Sequence, residues 1–270
     1  SSLPELTPEP IRALLMEAGV APLQGLPDGL FALDSASRVS AALRRADPVR
    51  LVAGAAGGRT LSEAEGKSRL ADAGLPVPES RTCSPDTVVE TARDLAYPLV
   101  LKAASAELAH KTEAGGVALD LRDETALAAA AKRLGRIADR LLVERMIDDG
   151  VAEVLVGVER DGQFGLTLTL ASGGTLTELL RDPVLLLFPV DADAIRKALR
   201  RLTIWPLLNG FRGRPAADVD TLVETIMRVA GFAESLAPRL AALEINPLIV
   251  RPAGHGVVAA DCLMTLLEET

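Results

Sequence analysis

The densest chemistry in the chain lies in His110-Lys111-Thr112-Glu113-Ala114-Gly115-Gly116, where one of only two histidines stands beside a lysine and a glycine pair. A neutral imidazole nitrogen attacks phosphorus readily, and a cationic neighbour such as Lys111 steadies phosphoryl oxygens. Gly115 and Gly116 let the backbone swing, or approach an anion closely. A lone histidine in a polar, glycine-bearing segment is more often a solvated loop residue. The heptad therefore takes its meaning from what surrounds it.

A second cluster is Glu244-Ile245-Asn246-Pro247-Leu248, with Asp261 on the strand that follows. A carboxylate and an amide oxygen are hard ligands, and one or two of them with phosphate oxygens and water make a magnesium site. Pro247 keeps Asn246 extended, which aims its side chain consistently. The plainer alternative is a turn at Asn-Pro and a solvated strand end at Asp261. Lys102 closes the apolar run Pro98-Leu99-Val100-Leu101. It either snorkels to the sheet edge or faces an anion. Glu144, after Leu141-Leu142-Val143, and Glu153, after Asp148-Asp149-Gly150, each read alone as surface carboxylates. Ala171-Ser172-Gly173-Gly174 is a weak sign of a turn whose amides lie against phosphate.

These residues need two lobes to hold them. At 270 residues and 49% hydrophobic the chain can bury a large core, and its length favours two lobes over one. A net charge of -8 with 3% aromatics argues against a nucleic-acid binder. No apolar run reaches the length of a membrane span, and no secretory leader is visible. Cys83 and Cys262 read as free thiols in a reducing cytoplasm. No G-x-x-x-x-G-K-[ST] occurs. Leu51 to Gly58 reads as a flexible linker rather than a dinucleotide loop, because Ala56 stands where that fingerprint needs glycine.

Residues 8–46 read as helix, turn-rich loop, helix. Ser62-x-x-Glu65 is a capping box for a helix that Gly74 stops, and Ser84-Pro85 opens another. Strands are expected at 98–102, 116–121 and 141–143, with an amphipathic helix over 124–138. Further strands are expected at 153–160, 164–170, 176–180 and 184–188, then helices at 193–202 and 217–233, then strands at 243–250 and 256–261. Trp205 and Phe211 are expected to anchor the core, and His255 to sit in a hairpin turn. The mixture predicts an α+β pair of lobes rather than one doubly wound sheet.

Taken in order, the motifs resemble an ATP-grasp domain of the NDP-forming acyl-CoA synthetases, the group that contains ADP-forming acetate–CoA ligase. The resemblance runs from about Leu61 to Met264. It covers the opening helix with Gly74-Leu75-Pro76-Val77-Pro78, the lysine strand Tyr97 to Lys102 and the His110 to Val117 segment, which is its most specific part. It continues through Glu153 to Gly157, Arg160 to Gly165, Asn209 to Pro215 and Glu244 to Leu248. The fold implied is a two-lobed ATP-grasp fold with a short, mainly helical N-terminal segment. Residues 1–58 would be the tail of a preceding ligase domain plus linker, and 59–270 the ATP-grasp domain, with lobes at roughly 75–143 and 144–270. The roles implied are His110 as phosphoryl carrier, Lys102 on ATP phosphates, Glu144 at the adenine edge and Glu153 on ribose hydroxyls. Lys111, Gly115 and Gly116 would belong to the nucleotide site, and Asn246 and Asp261 would hold Mg2+.

The resemblance also implies partners. ATP or ADP with Mg2+ would be handled here, while CoA and the acyl group would bind in CoA-binding and ligase domains or an α subunit. The chain is then the C-terminal piece of a longer cytoplasmic enzyme, compatible with a homo-oligomer. Two departures stand out. Ala171-Ser172-Gly173-Gly174 replaces Gly-x-Gly-Gly, and Leu186 stands where an arginine is expected after the acidic residue. They leave a second reading open, a weakened nucleotide- or acyl-CoA-sensing domain of a fused protein acyltransferase. A direct carboxylate–amine ligase ranks last, because it gives His110 no task.

Overall fold

The computed structural model describes residues 8–23, 25–43, 58–104 and 115–267. The chain divides into two compact units, Ser1–Asp47 and Pro48–Thr270. The first holds helices α1 (Glu9–Glu17) and α2 (Leu26–Leu43). Pro10 at the start of α1 suits a helix opening, where its missing N–H costs nothing. Among the described residues of these helices Leu14, Met16, Leu30 and Phe31 are exposed. Residues 51–57 of the expected linker Leu51 to Gly58, and His110 through Ala114 of the heptad, lie outside the described residues.

In the second unit the elements are β1 (Gly58–Thr60), α3 (Glu63–Asp72), β2 (Ser80–Cys83), α4 (Val88–Thr91), β3 (Leu99–Ala103), β4 (Val117–Leu121), α5 (Glu124–Leu134) and β5 (Leu141–Arg145). There follow β6 (Ala152–Asp161), β7 (Gly165–Ser172), α6 (Thr177–Leu180), β8 (Val184–Leu187), α7 (Ala192–Leu199), α8 (Trp205–Leu208), α9 (Val219–Ser235), β9 (Leu240–Val250), β10 (Val257–Ala259) and β11 (Cys262–Leu267). They build two antiparallel sheets. The smaller has the order β2-β5-β3-β4; the larger runs β1-β11-β9-β6-β7-β8, with β10 also on β9. This is a two-lobed α+β architecture.

Local chemistry explains the framework. In α3 the Ser62 hydroxyl accepts from the Glu65 amide while Glu65 accepts from the Ser62 amide, closing the expected capping box. Asp123 caps α5 through the Ala126 amide, and the helix buries Leu127, Ala130, Ala131 and Leu134 at helical spacing against the small sheet. The larger core sets Val154, Val156 and Val158 of β6 and Leu166, Leu168 and Leu170 of β7 among α9 residues Leu222, Ile226 and Val229. Alternation places one face of each strand inward.

Two expectations are corrected. Residues 176–180, read as a strand, continue a 3-10 turn at Gly174–Leu176 into α6. Gly174 adopts φ +62, and the Thr177 hydroxyl donates to its carbonyl at 2.9 Å. That turn starts a helical path which the Leu176, Leu179 and Leu180 pattern alone cannot reveal. Phe211 is 43% exposed, with the Arg212 guanidinium over its ring. Trp205 packs partly buried against the large core.

Candidate functional site

At the junction of the two sheets lies a buried ring of four charges. Glu63 and Lys67 come from α3, Lys102 from β3 and Glu144 from β5. Each is no more than 6% exposed. The Lys102 ammonium lies 2.6 Å from Glu63 and 2.8 Å from Glu144, and the Lys67 ammonium lies 2.8 and 2.6 Å from the same two carboxylates. Lys102 donates further to the Ala260 carbonyl at 2.9 Å. A carboxylate taken out of water alone would be very costly, and sharing both among two ammoniums removes most of that cost. Burial alone would lower the Lys102 pKa. Glu144, then Glu63 and Asp261, outweigh burial and raise it, so Lys102 stays cationic.

This arrangement resolves the ambiguity of Lys102, which neither snorkels nor stands alone. All three of its N–H donors have acceptors within the protein. Glu144, the residue that the resemblance places at the adenine edge, turns both carboxylate oxygens toward ammoniums. Glu63 and Lys67 were missed in the sequence. Their signal was present, because α3 carries them four apart, the spacing that brings charges together on one helix face. What no spacing reveals is the encounter with β3 and β5.

A cleft of about 760 Å³ is lined by Tyr97, Pro98, Asp120 and Arg122 from the small lobe. Met146, Ile147, Asp148, Glu153, Leu176 and Leu207 line it from the crossing segment and the large lobe. The crossing segment is fastened by Arg251, which donates to both oxygens of Asp149 at 2.7 Å. Of the residues singled out in the sequence, Glu153 lines this cleft. Burial pushes its carboxyl above the ordinary range. An apolar hinge with a few polar groups is the usual form of a small-molecule site.

Asn246 and Asp261 come together on the large sheet. Cys262 pairs with Ile245 and Ala259 with Leu248, and the Ala260 amide donates to the Pro247 carbonyl at 3.0 Å. This register sets Asp261 opposite Asn246, with both side chains on one face. Asn246 Oδ1 accepts from the Gly174 amide at 2.8 Å, and Asp261 Oδ1 from the Cys262 amide at 2.8 Å. An amide oxygen and a carboxylate retain further lone pairs and suit a hard cation that takes its other ligands from phosphate and water. Among the described residues no group of three or more His, Cys, Asp and Glu could hold a metal by itself. The donor set thus fits magnesium and does not fit an all-protein cage.

Gly115 and Gly116 flank the His110 segment. Gly115 adopts φ +67 and its carbonyl accepts from Arg133 at 2.9 Å, while the Gly116 carbonyl accepts from the Ala103 amide at 2.8 Å, next to Lys102. Cys262 is packed against Gly66, and burial first, then Asp261, pushes its thiol up to about 12. It is an inert packing thiol.

Residues 52–266 match the family model described as ATP-grasp domain. The chain belongs to this ATP-grasp family. Its relatives are acyl-CoA-forming ligases. A trans-feruloyl-CoA synthase from an unknown prokaryotic organism is 35% identical over 212 residues, covering 75% of this chain and 30% of that protein. The β subunit of ADP-forming acetate–CoA ligase II of Pyrococcus furiosus is 29% identical over 220 residues, covering 77% of this chain and 93% of the subunit. This chain therefore spans nearly all of the acetate–CoA ligase β subunit but only about 30% of the trans-feruloyl-CoA synthase.

Solved structures agree. The acetyl-coenzyme A synthetase 1 of Ca. Korarchaeum cryptofilum, in complex with coenzyme A, Ca-AMPCP and HgCl+, superposes with TM-score 0.71 at 28% identity, covering 78% of this chain and 94% of that one. A second form of that synthetase holds coenzyme A and Mg-AMPPCP, with its phosphohistidine segment pointing towards the nucleotide site. It superposes with TM-score 0.67 at 29% identity, covering 77% of this chain and 93% of that one. Among the described residues no helix is long and apolar enough to cross a membrane.

Proposed function

We propose that this chain is the ATP-handling portion of an NDP-forming acyl-CoA synthetase of the cytoplasm. It passes a phosphoryl group between ATP or ADP and His110, as one stage of acyl-CoA + ADP + Pi = carboxylate + CoA + ATP. The stage balances simply: an imidazole nitrogen of His110 forms a bond to the γ-phosphorus, the bond to the β–γ bridging oxygen breaks, and ADP leaves. The return step runs the same path backward. The observation that carries this reading is the strand register on either side of Asp261, which sets it opposite Asn246 of β9, while Asn246 is held by the Gly174 turn that also abuts Glu153.

In this reading Asn246 and Asp261 hold Mg2+, which would draw charge from the phosphate tail when bound. Glu153, at the cleft wall, accepts from ribose hydroxyls. Lys102, neutralised within the buried ring, donates to the Ala260 carbonyl and so fixes the backbone next to Asp261. Lys111, Gly115 and Gly116 present the His110 segment to the nucleotide, with the glycines as its hinges. Positioning and charge neutralisation carry most of such a transfer. The acyl group and CoA bind in domains or a subunit beyond this chain. The exposed apolar residues of α1 and α2 suit a segment that packs on such a neighbour.

The sensor reading draws on two observations. Leu186 replaces the arginine that the resemblance expects, and Lys102 spends all three N–H groups inside the protein. Calorimetry separates a working metal site from a relic. Replacing Asp261 by Asn should weaken ADP binding in Mg2+ by roughly tenfold or more, equivalent to about 1.4 kcal/mol. Binding in EDTA should hardly change. Equal losses in both conditions would remove Asp261 from the metal site.

A further inference from the structure

The turn that separates Glu153 from Asn246 is held from behind by a residue with no role so far. Asp182, just before β8, is part-buried and collects three hydrogen bonds. Its Oδ1 accepts from the Ser172 amide at 2.9 Å, and its Oδ2 accepts from the Ser172 hydroxyl at 2.8 Å and the Thr203 amide at 2.6 Å. Ser172 is fully buried. Immediately after it, the Gly173 amide donates to the Glu153 carbonyl at 2.8 Å, and the Gly174 amide to Asn246 Oδ1 at 2.8 Å. Each amide of the Ser172-Gly173-Gly174 turn therefore has an acceptor within the protein, so the turn is a fixed bracket and not a loop awaiting a ligand.

The bracket is tight. A Cβ at Gly173 would come within 2.6 Å of the Val154 backbone, and one at Gly174 within 1.6 Å of Glu153 Oε2. One short turn thus sets two candidate site residues on different strands: the carboxylate on the cleft wall and the amide oxygen beside Asp261. The Gly174 N–H also settles which end of the Asn246 amide carries the oxygen toward the turn, leaving its second lone pair for a cation. Hydrogen bonds of this kind orient a metal ligand without touching the metal.

We propose that Asp182 is a positioning residue of the nucleotide–magnesium site, acting through Ser172 and the Gly173–Gly174 turn on Asn246 and Glu153. The inference rests on the nucleotide reading of the preceding section. Asp182 also pins the turn to Thr203, at the foot of the segment that carries Leu207 to the cleft wall. Burial opposes its ionisation, but the donors from Ser172 and Thr203 outweigh it and hold its carboxyl below the ordinary range. The anchor is therefore ionised at neutral pH.

The test is calorimetric titration of ADP into wild type, Asp182→Asn and Ser172→Ala, each with saturating Mg2+ and with EDTA, alongside thermal melts. Asparagine keeps one acceptor oxygen and loses the other, so it cannot serve all three donors. For Asp182→Asn the expected result is binding at least tenfold weaker in Mg2+, with at most a threefold change in EDTA. The ratio between the two conditions should collapse toward one. Ser172→Ala removes only the hydroxyl bond, folds with little disturbance, and should lower the same ratio by a smaller factor. A purely structural residue would lower the melting temperature and leave the ratio untouched. That result in either folded variant overturns the proposal. Failure of the wild-type protein to bind ADP in either condition overturns the nucleotide reading and the inference with it.

Discussion

Replacing Lys67 by Met should lower the free energy of unfolding by about 3–5 kcal/mol, the cost of leaving a buried charge without its partner. Lys67 is 2% exposed and touches both Glu63 and Glu144. Without it, two carboxylates share the single ammonium of Lys102, and a net negative charge remains in an apolar junction. The double replacement Glu63→Gln, Lys67→Met removes one charge of each sign and leaves Lys102 with Glu144. It should recover more than half of the loss. Urea unfolding of the three proteins measures both effects. A single variant within about 1 kcal/mol of wild type would show that water or a rearranged side chain relieves the ring.

The second large effect belongs to Gly174. Alanine there adopts φ +62 at a backbone cost of about 1–2 kcal/mol, and its Cβ collides with the Glu153 carboxylate. Gly213 makes a matched control, because it adopts φ +80 with open space where a Cβ would stand. Both alanine variants should therefore lose similar stability to strain. Only Gly174→Ala should displace Glu153 and weaken Mg-ADP binding by roughly tenfold, about 1.4 kcal/mol. Adding Glu153→Ala to Gly174→Ala relieves the clash, so the two changes should be strongly non-additive. Simple additivity would mean that the turn and Glu153 act independently.

Much of this organisation was legible in the residue order, and the reasons differ from element to element. The Ser62–Glu65 box specifies α3 through local hydrogen bonds, and the amphipathic period after Glu124 specifies α5, which the structure shows capped by Asp123. Alternating Val154, Val156 and Val158 specify a strand through their two-residue period. The Leu176 to Leu180 segment deceived because a short apolar run suits strand and helix equally, and the left-handed Gly174 decides. In the candidate site, Asn246 and Asp261 were visible as oxygen donors on adjacent strands, although only the observed register puts them face to face. Lys102 and Glu144 stood out as charges at the ends of apolar strands. Their meeting with Glu63 and Lys67 joins residues distant in sequence, and nothing in local pattern encodes it. Asp182 was hidden for the same reason: its partners Ser172 and Thr203 lie on either side of it in the chain, ten and twenty-one residues away.

A phosphoryl group handed to His110 is the step on which the proposed function turns. Incubation with γ-phosphate-labelled ATP and Mg2+, followed by acid and base treatment of wild type and His110→Ala, tests it directly. Wild-type protein should carry label that is lost in acid and survives base. The variant should carry none, yet bind Mg-ADP nearly as well as wild type. Label that persists in His110→Ala, or wild-type protein that binds Mg-ATP and stays unlabelled even with its CoA-binding and ligase domains supplied, would contradict it.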